Sequence, residues 1–298
     1  MNKDHIQLGI APIGWTNDDL PELGRENTWQ QCLSEMALAG YQGCEIGGQY
    51  PKDIEILRKA LELRKLQVCN SWFSTWFADA PLKKTLDAYL PYLRFLQGLG
   101  AKVIGCSEQS GSTQGGVTPM YGQRPQWNTL QWRKIAQGYS ELAQIAEDHG
   151  MRVCLHHHMG TGIQTPVEID RFLDATPDNV YLLFDSGHIF ASEGTQQAVE
   201  YVLKKTLPRV AHIHLKDCRP HIIAEVKADN RSFLEAVKGG IFTVPGDGII
   251  DFRPLFTEID SSGYRGWMVV EAEQDPALAN PLEYAMKARD YLRQHTGL

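Results

Sequence analysis

The stretch VYLLFDSGH, residues 180–188, reads as a buried strand that runs into a polar corner. Its apolar run is continuous rather than alternating, which suits a parallel strand covered on both faces. Asp185 stands at the carboxyl end of that run, where α/β folds place their chemistry. Three other stretches share the form: RVCLHHHMG (152–160), VAHIHLKD (210–217) and GWMVVEAEQD (266–275). They leave His156, His214 and Glu271 at matching strand ends. From His156 through Asp185 and His214 to Glu271 the separations are 29, 29 and 57 residues. A strand, a helix and two loops take roughly 25–35 residues in an α/β barrel. The last interval is therefore close to two units, and the chain returns to one rim about once per unit. Imidazoles and carboxylates gathered at one rim make a site for a divalent metal.

Working outward, four more apolar runs complete the set: 6–15, 43–47, 66–73 and 101–108. Helical patterns lie between them. Thr28 precedes a stripe of Trp29, Cys32, Leu33 and Met36, with Gln31 placed for a capping box and Gly40 for a stop. Asn128–His149 carries a similar stripe, closed by Gly150. Thr165-Pro166-Val167-Glu168 reads as N-cap, N1 proline and N3 glutamate, and Asn280-Pro281-Leu282-Glu283 repeats it. Weaker helix signals follow 51, 82 and 253. Eight strands alternating with helices, without a break in composition, predict a single (β/α)8 TIM barrel over 1–298. The rival is an open doubly wound sheet, but no G-x-G-x-x-G follows the first strand. The long connections 108–127 and 217–252 follow strands, so both belong to the active-site face. The first, rich in Gly, Ser, Thr and Gln, reads as a mobile lid.

The 298 residues are 43% hydrophobic and 22% charged, which describes a soluble globular protein with ample core. A formal net charge of −7 without a basic run disfavours a nucleic-acid partner. No run approaches the ~18–20 apolar residues of a membrane span. The polar start MNKDHIQLG leads straight into a strand and does not read as a signal peptide. Six cysteines lack C-x-x-C spacing, so reduced thiols and a cytoplasmic location are expected. Cys218, just past a strand end, is the one with a reactive alternative.

Residues two apart in a strand share a face. His156 and His158 therefore point one way and His157 the other. His212, His214 and Lys216 share a face, as do Glu271 and Glu273. Buried charges at matching strand ends are costly unless paired or bound to metal. His156, Asp185, His214 and Glu271 are the candidate metal ligands. Glu271, Lys216 and His158 are the candidate bases. Trp15, Asn17, Asn70 and Trp72 close the first and third strands, Glu45 and Glu108 the second and fourth. Asn and Trp at a pocket mouth suit a polyhydroxylated ring, so Trp15, Asn17, Glu45, Asn70 and Trp72 are candidate substrate contacts. His188 is a further contact or a partner of a ligand.

At LLFDSGH, HIHLKD, VVEAE and VPGDGIIDF (244–252) the chain resembles the xylose-isomerase-like barrel superfamily of sugar isomerases and epimerases. GIAPIGWTNDDLP and VVEAEQDP mark its dehydratase branch, and the resemblance covers nearly the whole chain. It implies dehydration of scyllo-inosose, a cyclic keto-polyol, to a trihydroxycyclohexane-dione in myo-inositol catabolism. It also implies manganese or cobalt, stimulation by glutathione, and barrels that often pair, hence a homodimer. By position the superfamily's ligands fall on Asp185, His214 and Glu271. Its usual fourth, a glutamate on the fifth strand that also moves protons, is His156 here. A ketose isomerase or epimerase and a non-catalytic sugar-binding barrel are the alternatives. A trinuclear-zinc endonuclease of the same superfamily would need more ligands and a basic face.

Overall fold

The computed structural model describes all 298 residues. Eight parallel strands close into a barrel: β1 (Ile6–Ile10), β2 (Gly43–Ile46), β3 (Gln67–Thr75), β4 (Val103–Glu108), β5 (Arg152–His156), β6 (Val180–Asp185), β7 (Val210–Leu215) and, as the last barrel strand, β10 (Gly266–Val270). Every predicted run overlaps one of them, and β3 runs two residues past its predicted end. Around the barrel they follow chain order, and β10 pairs with β1 to close it. The outer layer comprises α1 (Trp29–Leu38), α2 (Ile54–Leu63), α3 (Leu82–Gly98), α4 (Thr129–Asp148), α5 (Pro166–Ala175), α6 (Ser186–Glu193), α7 (Gln196–Thr206), α8 (Pro220–Asp229), α9 (Phe233–Lys238), α10 (Phe252–Ser261) and α11 (Pro281–Thr296). No helix is long and apolar enough to cross a membrane.

The caps act largely as predicted. Thr165 and Glu168 form a reciprocal capping box with Pro166 at N1. At α1 only half of the expected box forms. Thr28 accepts from the Gln31 amide, while the Gln31 side chain donates to Glu35. The connection 217–252 is not a plain loop. A short antiparallel pair, β8 (Asp217–Cys218) with β9 (Phe242–Thr243), encloses α8 and α9. Ser232 and Glu235 form a capping box for α9, an S-x-x-E signal legible in the sequence.

The predicted lid is tied to its surroundings. Thr113 donates its amide to Gly160 (3.0 Å) and Met120 to Arg231 (2.9 Å). Arg124 reaches both Thr161 (3.1 Å) and Glu168 (2.6 Å). Glu108 does not face the cavity. Its carboxylate accepts from Thr75 and from the Phe77 and Ala78 amides, which fixes the turn after β3.

Small and apolar groups fill the amino-terminal part of the barrel, among them Cys69, Trp267 and Val269, and Val103, Cys154 and Leu183. The strand register then sets the polar layer above. Asp185 lies opposite His214 across β6 and β7. His214 lies opposite Val269 on β10, so Glu271 emerges two residues further on the same face. His156 lies opposite Leu183, so it shares its side with Asp185.

After β1 a short 3-10 turn, Pro12–Gly14, carries Trp15 out of the mouth. Its side chain is 1% exposed, and the indole N–H donates to Glu35 on α1 at 2.6 Å. Trp15 is therefore a core residue, not the expected ring contact. Asn17 is buried as well, and its amide oxygen accepts from the Asp19 and Leu20 amides. Replacing Trp15 by Phe should cost about 2 kcal/mol of stability through the lost buried hydrogen bond and volume. Denaturant titration checks the cost. An unchanged KM in the same variant checks that Trp15 does not touch substrate.

Candidate metal centre and active site

A cavity of about 530 Å³ opens at the carboxyl ends of the strands, lined by Glu45, Trp72, His156, His158, His214, Glu271 and Glu273 among others. That volume is in the range of small-molecule sites. The Trp72 ring packs T-shaped with His156 and His158 and lines the cavity. Asn70 is 2% exposed and lies deeper than expected, because β3 continues to Thr75. It donates to Glu45 and accepts from the Gly105 amide, so it positions Glu45 instead of facing a ligand.

Four buried atoms converge at the floor. His214 Nδ1 lies 3.4 Å from Asp185 Oδ2 and 3.4 Å from Glu271 Oε2. His156 Nε2 lies 3.5 Å from Asp185 Oδ2. All four atoms are buried; His156 Nε2 and His214 Nδ1 have no hydrogen-bond partner, while the two carboxylate oxygens face the Lys216 ammonium, Glu271 Oε2 at 2.6 Å and Asp185 Oδ2 at 3.5 Å. Donors held about 2.1 Å from a shared ion are separated by roughly 3.0–3.5 Å, depending on geometry. His156, Asp185 and His214 bring their donor atoms within 4.8 Å of one another, a set that fits a divalent cation, and Glu271 approaches that set at His214 Nδ1. These are the four residues picked out by strand position, His156 included.

His214 is set by Glu45. Its Nε2–H and that of His212 both donate to Glu45 Oε1, at 2.9 and 2.8 Å. Glu45 was expected to contact substrate, and it does line the cavity, but this oxygen is already committed to two imidazoles. The bond fixes the ring so that Nδ1 faces Asp185 and Glu271. It also means that Glu45, His212 and His214 cannot themselves hold a metal through the atoms that meet there. His212 was placed on this face by parity without a role. Burial opposes a positive His214, but Glu45, then Asp185 and Glu271, outweigh it and raise its pKa. A cation taking Nδ1 would displace that proton. Burial and the neighbouring His214 hold His156 neutral, with its pKa well below the usual range.

Lys216 is fully buried and does not line the cavity. Its ammonium lies 2.6 Å from Glu271, 2.7 Å from Glu273 and 3.5 Å from Asp185. It also donates to His188 Nε2 at 3.0 Å and sits 4.7 Å from the Phe242 ring centre. Burial lowers its pKa, but the three carboxylates outweigh burial and hold it above the ordinary lysine value. It is a fixed cation and not the base that strand position allowed. Gly187 makes room for it, since a Cβ there would meet the Lys216 stem at 2.4–2.8 Å. His188 is likewise sealed off, with no exposed surface, so it supports Lys216 rather than substrate.

Glu273 was paired with Glu271 by parity but given no role. Its Oε1 lies 3.7 Å from His158 Nε2. Burial raises its pKa, but Lys216 and then His158 bring it down to about 2. His158 Nδ1 donates to its neighbour's carbonyl, Met159 O, at 2.8 Å. That leaves Nε2 as a lone pair beside Glu273 and on the cavity wall. His158, His188 and Glu273 come close enough to suggest a second metal group. The Lys216 ammonium already supplies a positive charge to that second group. His157 points the other way, as expected, and its Nε2 accepts the Asp185 amide at 3.1 Å.

A parallel barrel with a mixed imidazole and carboxylate floor under a polar cavity defines the class of α/β-barrel enzymes that act on small molecules. A family model described as xylose isomerase-like TIM barrel matches residues 33–295. A relative from Serratia proteamaculans (strain 568), named inosose dehydratase, is 59% identical over all of both chains. Among solved structures, the IOLI protein with a binding zinc atom aligns with a TM-score of 0.72 at 15% identity, covering 98% of this chain and 100% of that one. The probable 3-DHS dehydratase AsbF from Bacillus anthracis aligns with 0.72 at 14% identity, covering 96% and 98%. The chain belongs to the xylose isomerase-like TIM barrel family and, within it, to the inosose dehydratases.

Alanine at Asp185, His214 or His156 should each abolish retention of divalent metal after dialysis, as read by elemental analysis. Full metal content in His156→Ala would remove His156 from the donor set. Lys216→Met should cost about 3–5 kcal/mol, because three buried carboxylates lose their cation. Added divalent metal should raise the melting temperature of that variant more than that of the parent.

Proposed function

We propose that the chain is a hydro-lyase that converts scyllo-inosose (2-keto-myo-inositol) to 3D-trihydroxycyclohexane-1,2-dione in myo-inositol catabolism, with manganese or cobalt as the bound ion. The observation that carries the reading is the buried group of His156, Asp185 and His214 donor atoms, with Glu271 beside it, under a cavity of about 530 Å³. The relative's name supplies the substrate. Asp185, His214, Glu271 and His156 would hold the ion. A bound divalent ion acts as a Lewis acid toward the substrate ketone and makes its α-proton more acidic.

The chain supplies the proton handling. Of the three candidate bases, Lys216 is excluded by its fixed charge, and Glu271 Oε2 is engaged by the Lys216 ammonium at 2.6 Å. His158 has what a base needs: a lone pair on Nε2 at the cavity lining, a tautomer set by Met159, and an adjacent carboxylate in Glu273. It takes the proton α to the ketone, and the C–H electron pair passes into the enolate. Glu273, itself held by Lys216, stabilises the resulting imidazolium. His158 then returns the proton to the β-hydroxyl, which leaves as water while the enolate electrons form the C=C bond. The enol released tautomerises to the dione. The edge of Trp72 and the cavity wall exclude bulk water around His158.

Turnover of scyllo-inosose followed by dione absorbance, before and after metal stripping, tests the proposal. Loss on stripping and recovery with manganese or cobalt are expected. An interconverted keto-polyol without dione would favour an isomerase or epimerase, and binding without turnover a sugar-binding barrel. His158→Gln should lower kcat by about 10²–10⁴-fold while metal content stays at the parent level.

A further inference from the structure

The long segment after β4 carries one side chain that its anchoring does not explain. Gln114 is 8% exposed and lines the cavity, although it lies on none of the strands that bear the metal donors. Its Nε2 donates to Asp19 Oδ2 at 2.7 Å, joining the segment after β4 to the segment after β1 across the mouth. A carboxylate only accepts, so Asp19 decides which way the amide faces. Oε1 is thereby turned away from Asp19, and it is buried without any partner.

The backbone beneath it is held closely. The Gln114 amide donates to Ser112 Oγ at 3.2 Å, and Thr113 donates to Gly160 O at 3.0 Å. Gly160 is at φ +82°, and a Cβ there would press on Gln114 N at 3.0 Å. Gly160 lies two residues beyond His158, so the amide is tied to the segment that carries the candidate base. A fixed, buried carbonyl oxygen on a cavity wall calls for a donor when the cavity is filled. Asp18, Asp19 and Ser112 line the same wall, so it is rich in acceptors. A ring whose hydroxyls all carry a proton is the ligand chemistry that matches.

We propose that Gln114 reads a ring hydroxyl of the substrate, with Oε1 accepting a hydrogen bond and Asp19 holding the amide in the accepting orientation. This deepens the reading of the site as one for a cyclic keto-polyol and rests on it. Gln114 is then a specificity residue outside the metal centre. Losing one neutral hydrogen bond changes affinity by roughly five- to tenfold.

The test uses the metal-loaded protein, Gln114→Met as a length-matched variant without an acceptor, and a set of monodeoxy inososes. Gln114→Met should raise KM for inosose about five- to tenfold, with the loss falling on KM rather than kcat. One deoxy analogue should be penalised in the parent and no longer penalised relative to inosose in the variant. The other analogues should keep their penalties. An unchanged KM, or penalties that persist for every analogue, would overturn the proposal. A water alone satisfying Oε1 predicts that outcome. If Gln114→Met does not fold, Asp19→Asn serves in its place, since an asparagine no longer dictates the amide's orientation and should raise KM in the same direction. Calorimetric titration of myo-inositol into parent and variant separates the two claims. Weaker binding by the variant supports the role of Gln114 even if the parent fails to turn over inosose, and equal binding overturns it.

Discussion

Three carboxylates meet at the floor of this barrel because one ammonium is buried among them. Asp185, Glu271 and Glu273 each approach Lys216 Nζ within 3.5 Å, and Lys216 has no exposed surface. Desolvating that many like charges without a counter-ion would shift their pKa values until they neutralised. The ammonium keeps Asp185 and Glu273 ionised at the place where chemistry needs them. Its own position depends on backbone. Gly187 leaves space for the stem, and Ser186 Oγ accepts the Lys216 amide at 3.0 Å. The D-S-G-H corner of residues 185–188 thus supplies one donor atom, one clamp, one gap and one imidazole to a single network.

The second cation completes the balance. Glu45, Asp185, Glu271 and Glu273 are four carboxylates, and Lys216 answers one. His214 is drawn toward a positive charge by the remainder, which is the electrostatic sign of a place that a divalent ion would fill. Because Glu45 occupies the far nitrogen of His214, the ring meets such an ion with Nδ1 only. The orienting carboxylate comes from β2, across the barrel from β7, so the site's precision depends on barrel closure and not on any one βα unit.

What was legible in the sequence follows from period and position. Eight apolar runs gave eight strands, and the period of two sorted His156 and His158 from His157, and Glu271 and Glu273 to one side. Parity fails once the strand ends. Trp15 lies five residues beyond Ile10, and the turn at Pro12–Gly14 swings it into the helical layer. Asn17 was read as a contact, but its amide oxygen is used by its own turn, a local bond that Asn makes readily. Asn70 was misplaced in depth because β3 runs past it to Thr75, with an irregular register against β2 near Glu45. Lys216 had the right face and the wrong character, since sequence carries no information on how many carboxylates converge from other strands. Gln114 was invisible for a related reason. It lies on an aperiodic segment, and only its contact with Asp19, 95 positions away in the chain, marks it.

The arrangement is asymmetric, and the asymmetry bears on the reaction. A keto-sugar epimerase removes a proton from one face of a carbon and returns one to the other, so it needs two proton-transfer groups across the substrate. Here the fifth strand ends in His156, whose Nε2 faces Asp185 at the floor. His158, the proposed base, is backed by Glu273 on the same side. One base with one orienting carboxylate can take a proton and hand it to a leaving hydroxyl on the face it serves. On the proposed reading, His156 at the end of β5 serves the ion and His158 handles the proton, a division of labour that suits elimination of water from one face of the ring.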